Sequence, residues 1–403
     1  MLVISVNTAL GIEVTDDELA FLHQKWDSIT SEIEDRHLTT EDMALVVKQI
    51  CPSCSTNKKD IRSTFALICL GLNPELLTLF WPRFRIRIFK RLNGSNDDFN
   101  SFVRSSPPEF WEPSNETYSL NLSHTTYSVV SPVTVLIRHA SLTIDCVDLS
   151  DNYIGDSEAE ILFEALMVNN ASTIATLDLS WNYIGADGAN AIAEALMVNS
   201  SLTQLVLCAN MIGDSGANAI AEALKVNRAL IRLDLISNEI GDAGIESLSE
   251  ALMINSSLEQ LSLGTNNIGN SVARSLSGAL KTNGSLIRLD LSSTSLGDSE
   301  ITRLSESLKA NSSLTELFLV GNRIGDSGAR SLSGALEVNS SLLKLSLTSN
   351  HIGDSGAKSL SESLKANSSL TELHLDGNNI GKSGESSLAE SLESNCTVTR
   401  LWL

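Results

Sequence analysis

The chain has 403 residues, enough for two or three ordinary domains, and carries 49 acidic against 28 basic residues for a formal net charge of −21. That balance excludes a general nucleic-acid binder, which needs Lys and Arg against phosphates, and argues against adhesion to an anionic membrane surface. There is no apolar run long enough to span a bilayer, the opening residues lack the basic stretch of a secretory signal and include Glu13, and six cysteines are too sparse for a disulfide scaffold. A cytoplasmic location is expected.

In chain order, Thr15-Asp16-Asp17-Glu18 opens a predicted helix with Leu19, Leu22 and Trp26 on one face. Thr39-Thr40-Glu41-Asp42 opens a second, through Val47 and Ile50, and a third is expected over about 61–70. A fourth follows Asn73-Pro74, with proline in its first turn. Residues 1–92 therefore read as a small helical domain. Residues 93–132, rich in Ser, Asn, Thr and Pro, read as linker or loosely packed loops. Residues 133–142 are predicted to form an entry helix covering the first strand of a repeat array, so that 133–403 is one solenoid.

From Leu142 onward the chain repeats. Asn182, Asn210, Asn238, Asn266, Asn322, Asn350 and Asn378 fall on a 28-residue grid, with Thr294 where one more Asn is due and Asn152 placed 30 residues before Asn182. Leucines precede each at fixed intervals, as in Leu314, Leu317 and Leu319 before Asn322. Period-two alternation predicts a short strand with one buried face. The asparagines are expected to stack as a buried ladder that satisfies loop backbone. Next comes Ile-Gly-Asp-Ser-Gly-Ala, where Asp326, Ser327, Asp354 and Ser355 are suited to cap a helix N-terminus. The helix follows, and Asn339 or Asn367 is expected to end it in a left-handed conformation. Nine such units are counted, plus a tenth strand at Val398, Leu401 and Leu403.

This pattern resembles the ribonuclease-inhibitor type of leucine-rich repeat, found also in Ran GTPase-activating proteins and in the C-terminal sensors of NOD-like receptors. The resemblance covers roughly residues 142–403. It implies an α/β fold: a right-handed solenoid, or horseshoe, with an inner parallel sheet and outer helices. It also implies that partners bind on the inner face and its loops. Function does not follow from fold, because this scaffold serves many ends.

The position between the second and third leucine gives an inner row of Asp148, Asp178, Val206, Asp234, Ser262, Asp290, Phe318, Ser346, His374 and Trp402. Its first half is acidic and its second half aromatic, so a partner with a basic surface is expected at one end and an apolar anchor at the other. Trp181 is added to this partner-binding set. Two positions earlier run Gln204, Arg232, Gln260, Arg288, Glu316, Lys344, Glu372 and Arg400, which are expected to pair between strands, with Arg232 and Arg288 also meeting Asp234 and Asp290.

Several motifs carry nothing further. Cys51-Pro-Ser-Cys54 has zinc-ligand spacing without a second pair. Gly377–Ser383 is one residue short of a phosphate loop. The basic stretch Arg83–Arg91 alternates with apolar residues and points to docking on the acidic repeats rather than to nucleic acid. No catalytic arrangement stands apart from the repeat, so no enzyme activity, metal or cofactor is expected. The uncovered last strand leaves two options: Trp402 and Leu403 fold over the edge, or a second copy covers it in a homodimer. The sequence reads as an intracellular, non-catalytic protein-interaction module. A GTPase-activating regulator of a Ran-like GTPase and an immune-type sensor or effector stand as alternatives.

Overall fold

The structure, a computed structural model, describes residues 118–121, 123, 130, 144–168, 174–269 and 272–403. The four expected N-terminal helices, Cys51 and Cys54, the Arg83–Arg91 stretch and the helix expected over 133–142 lie outside the described residues. The chain divides into two compact units, one of Met1–Asn152 with Ile161–Ile174, the other of Tyr153–Glu160 with Ala175–Leu403.

The first unit holds strands β1 (Tyr118–Asn121) and β2 (Ile144–Asp148), paired in parallel. Strand β1 corrects the sequence reading in part, because it lies in the stretch taken for linker. Its Tyr-Ser-Leu-Asn is too short, and too poor in leucine, to stand out by period. Helix α1 follows at Asp156–Val168.

The second unit repeats strand, turn and helix. Its elements are β3 (Thr176–Asp178), α2 (Ala186–Val198), β4 (Gln204–Val206), α3 (Gly213–Val226), β5 (Arg232–Asp234), α4 (Asp242–Ile254), β6 (Gln260–Ser262) and α5 (Val272–Thr282). They continue with β7 (Arg288–Asp290), α6 (Asp298–Leu308), β8 (Glu316–Phe318), α7 (Asp326–Leu336), β9 (Lys344–Ser346), α8 (Asp354–Ala366), β10 (Glu372–His374), α9 (Lys382–Ser394) and β11 (Arg400–Trp402). Strands β3 to β11 pair in parallel, each with the next, and the register never slips. The core lies between sheet and helices, where Leu205, Leu233, Leu289, Leu317 and Leu345 of the strands are fully buried with Ile220, Ala251, Ala279 and Leu360 of the helices. No unit could bury this surface alone.

Asparagines tie the repeats together. Asn210 Nδ2 donates to Leu207 O in its own repeat and to Leu179 O in the one before, both at 3.0 Å, and its Oδ1 accepts from Ile184 N. Asn266 and Asn350 repeat the pattern, as does Asn378. Asn182 Oδ1 accepts from Ile154 N, Asn322 Oδ1 from Leu296 N, and Asn152 Nδ2 donates to Ser150 O. Asn238 departs from this: its Nδ2 donates to Leu207 O, but its buried Oδ1 has no hydrogen-bond donor. In the repeat before it, Ile212 is already α-helical and Gly213 (φ +59°) starts α3 early, donating to the Asn238 backbone carbonyl instead.

Two local expectations are corrected. The aspartates that open α7 and α8, Asp326 and Asp354, do not cap those helices, whose N-caps are the preceding glycines. They reach into the next repeat: Asp326 Oδ1 accepts from Gly353 N and Gly356 N at 2.7 and 2.8 Å, and Asp298 and Asp354 do the same one repeat before and after. Nor do the terminal asparagines turn left-handed. Asn367 is extended (φ −74°, ψ 131°), its Nδ2 donates to Leu336 O and Asn339 O of the previous repeat, and its Oδ1 accepts from Leu370 N. Asn227, Asn255, Asn283, Asn311, Asn339 and Asn395 make the same bonds to the preceding helix end, a second asparagine column.

Candidate protein-binding surface

The unbroken register sets one residue per strand side by side on the face of the sheet away from the helices: Asp178, Val206, Asp234, Ser262, Asp290, Phe318, Ser346, His374 and Trp402. Asp234, Ser262 and Ser346 are buried there, Trp402 is exposed and the other five are half-buried. Asp148 ends β2 in the other unit. The alternate residues of each strand are leucines spent on the core, so only this row and the one two positions earlier can face outward.

The two halves of the row are built differently. In the first, Asp178 Oδ1 accepts from Ser180 N and Ser180 Oγ at 2.9 and 2.6 Å, and Asp148 is held by Ser150 in the same way. Asp234 accepts from Ile236 N, and the Arg232 guanidinium lies 4.0 Å away. Burial raises the Asp234 carboxyl above the usual aspartate range despite these two, with Asp290 and Asp178 adding like charge. Burial, then Asp234 and Asp178, push the neighbouring Cys208 thiol up to about 11.

In the second half the cations are in place. Arg288 donates to Glu316 at 2.7 Å rather than turning to Asp290, and its guanidinium lies 4.1 Å from the Phe318 ring centroid. Lys344 Nζ sits 5.4 Å from the same ring and 3.2 Å from Glu372. Glu372 also accepts from Arg400 at 2.8 Å. Lys344, more than the nearby His374 or the charge of Arg400, lowers the Glu372 carboxyl. The Trp402 ring does not fold over the sheet edge. It lies on His374, centroids 3.9 Å apart and nearly parallel.

Trp181 is not part of this row. It occupies the turn after β3 with φ +57° and is 67 % exposed. Around it the sequence reading missed Tyr153, Tyr183 and Met211, all exposed at the position following each ladder asparagine. Their signal was available: later repeats carry Glu239, Asn267 and Ser295 there.

Comparison with known proteins agrees with the repeat geometry. A family model described as a Leucine Rich repeat matches residues 170–193 and 226–249, and the TMOD/LMOD Leucine-rich domain matches residues 295–403. The array is a leucine-rich-repeat solenoid. No curated protein matches the chain. Among solved structures, the leucine-rich repeats are similar to Leiomodin-1 Actin-Binding Site 2, at 22 % identity and a TM-score of 0.32, over 38 % of this chain and 88 % of that one. The tropomodulin C-terminal domain of Caenorhabditis elegans matches at 20 % identity and a TM-score of 0.33, over 38 % and 92 %. Among the described residues, no three His, Cys, Asp or Glu side chains gather as a metal site, and no helix is long and apolar enough to cross a membrane.

Proposed function

We propose that the leucine-rich-repeat solenoid is a non-catalytic, cytoplasmic protein-binding module whose partner lies along the exposed face of the sheet and presents a basic surface to its first half. One observation carries this reading: nine parallel strands in constant register present a continuous row of acids and aromatics on the face of the sheet away from the helices. Phe318 and the His374–Trp402 stack supply flat anchors of the kind that dominate interface energies. The carboxylates of the first half supply orientation and encounter rate.

The test is affinity capture with the full chain, comparing the parent with a variant carrying D178N, F318A and W402A. Actin belongs in the panel of purified ligands, because the leiomodin domain is named as an actin-binding site. The expected result is a partner held by the parent and lost by the variant, with both chains melting at similar temperatures. A variant that keeps every partner of the parent overturns the reading.

A further inference from the structure

We infer that the turn edge formed by Tyr153, Trp181, Tyr183 and Met211 is a second docking surface, separate from the sheet face, and that it takes an extended segment of a partner protein in which arginine or lysine alternates with aliphatic side chains.

The turns that carry the four side chains are held side by side, and two of the rings touch. Tyr183 N donates to Ile154 O at 2.8 Å and Met211 N to Ile184 O at 2.9 Å, which fixes successive turns side by side. The rings of Tyr153 and Tyr183 stack, with centroids 5.8 Å apart and planes 24° from parallel. Relative exposures are 64 % for Tyr153, 53 % for Tyr183 and 46 % for Met211, so these side chains add little to the core. Single exposed apolar residues are ordinary, whereas a contiguous group of large ones marks an interaction surface.

Trp181 shows that the ring is not there for folding. Its turn position has positive φ in every described repeat, and Gly321 and Gly377 occupy it elsewhere. A left-handed conformation disfavours any side chain with a Cβ, and two-thirds of this residue stays in water, so burial offers little in return.

Charge identifies the occupant. Residues 139–224 contain 12 acidic residues and no Lys or Arg; all 15 basic residues of 142–403 lie from Lys225 onward. At Phe318 the solenoid supplies its own cations, Arg288 and Lys344, to the ring face. Among the described residues no Lys or Arg lies over the Tyr153, Trp181 or Tyr183 ring, and 139–224 has none to offer, so a cation from a partner completes the same arrangement. The aliphatic side chains of the segment cover Met211 and the ring edges.

The experiment measures fluorescence anisotropy of a labelled peptide of four Arg-Ile pairs with the full chain. Peptides of Glu-Ile and of Arg-Ser pairs serve as controls. Tight binding is expected for Arg-Ile alone, weakened by about tenfold or more in W181N and in Y183S, and retained in F318A/W402A. W181N should melt at or above the parent temperature, since asparagine tolerates the left-handed turn. Equal binding of the Arg-Ser peptide would reduce the effect to bulk charge and overturn the proposal. So would unchanged binding by W181N, or a W181N chain that melts several degrees lower, which would return the ring to the fold. Loss in F318A/W402A with retention in W181N would move the peptide to the sheet face and likewise sink it.

Discussion

Asn266 holds two repeats with one side chain. Its Nδ2 donates to Leu235 O and Leu263 O, and its Oδ1 accepts from both Asn238 N and Ile240 N. All of this lies in the core, where an unpaired peptide group costs about 1–3 kcal/mol. N266A strands two donors at once and should lower the urea-unfolding free energy by about 3–5 kcal/mol; a loss below about 1 kcal/mol would show that water replaces the amide. The converse test is Thr294, which bonds Leu291 O and Asn322 Oδ1 through its hydroxyl but has no second arm to reach back toward Ile268. T294N restores that arm and should stabilise the chain by about 1 kcal/mol. The thiols give a chemical check on burial. Cys208, pushed up to about 11 by burial and two aspartates, should alkylate far more slowly at neutral pH than the exposed Cys396. Mass spectrometry of a timed iodoacetamide reaction reads the difference directly, and equal rates would contradict the burial of Cys208.

Helices are joined by aspartates that cap their neighbours. Asp326 accepts from two N–H groups in the first turn of α8, and a negative charge there also suits the helix dipole. D326A should therefore cost about 1–2 kcal/mol, and it should unprotect amides of α8 rather than of α7, as hydrogen exchange would resolve. The arrangement also dictates Gly356: a Cβ there would sit 2.7 Å from Asp326 Oδ1, 2.8 Å from Ile352 Cγ2 and 2.9 Å from Ala329 Cβ. Strands, helices and their order were legible in the 28-residue grid, because period two and helical spacing report directly on which face is buried. The direction of the aspartate bond was not. In a nearly periodic sequence a contact within one repeat and a contact to the next look the same. Helices α3 and α6 depart: at α3 Ala186 stands in place of the preceding aspartate and Gly213 N bonds the Asn238 carbonyl, and at α6 Asn270 stands there and Gly297 N bonds Glu300 of its own helix. The sign alternation from Arg288 to Arg400 was equally legible. That Arg288 turns to Glu316 and Phe318 rather than to Asp290 depends on side-chain rotamers, which spacing does not encode. Tyr153, Tyr183 and Met211 belong to the turn column, where neither period two nor helical spacing reports which side chain stays in water.

Across the whole chain, acids outnumber bases by 21, and the excess is concentrated where the repeats begin. Such a charge opposes compaction and is screened by salt. Asp234 brings this to a single group. Its carboxyl is raised by burial first, and then by Asp290 and Asp178. Folding thus favours its protonated form. Well below the ordinary carboxylate range both folded and unfolded states are protonated and the group contributes its full stability. As pH rises through the raised folded value, the native protein must ionise a buried acid beside two others, and that contribution is lost. D234N keeps an oxygen to accept from Ile236 N and never ionises. It should melt above the parent at pH 7, and the difference should shrink to nothing in acid. Raising ionic strength from about 0.01 M to about 0.15 M shortens the screening length from about 30 Å to about 8 Å. The parent should therefore gain melting temperature with salt, and gain more than D234N. Thermal melts of both chains over pH and salt decide the matter: a D234N chain less stable than the parent at neutral pH would mean that the Arg232 contact outweighs burial, and the sign argued here would be reversed.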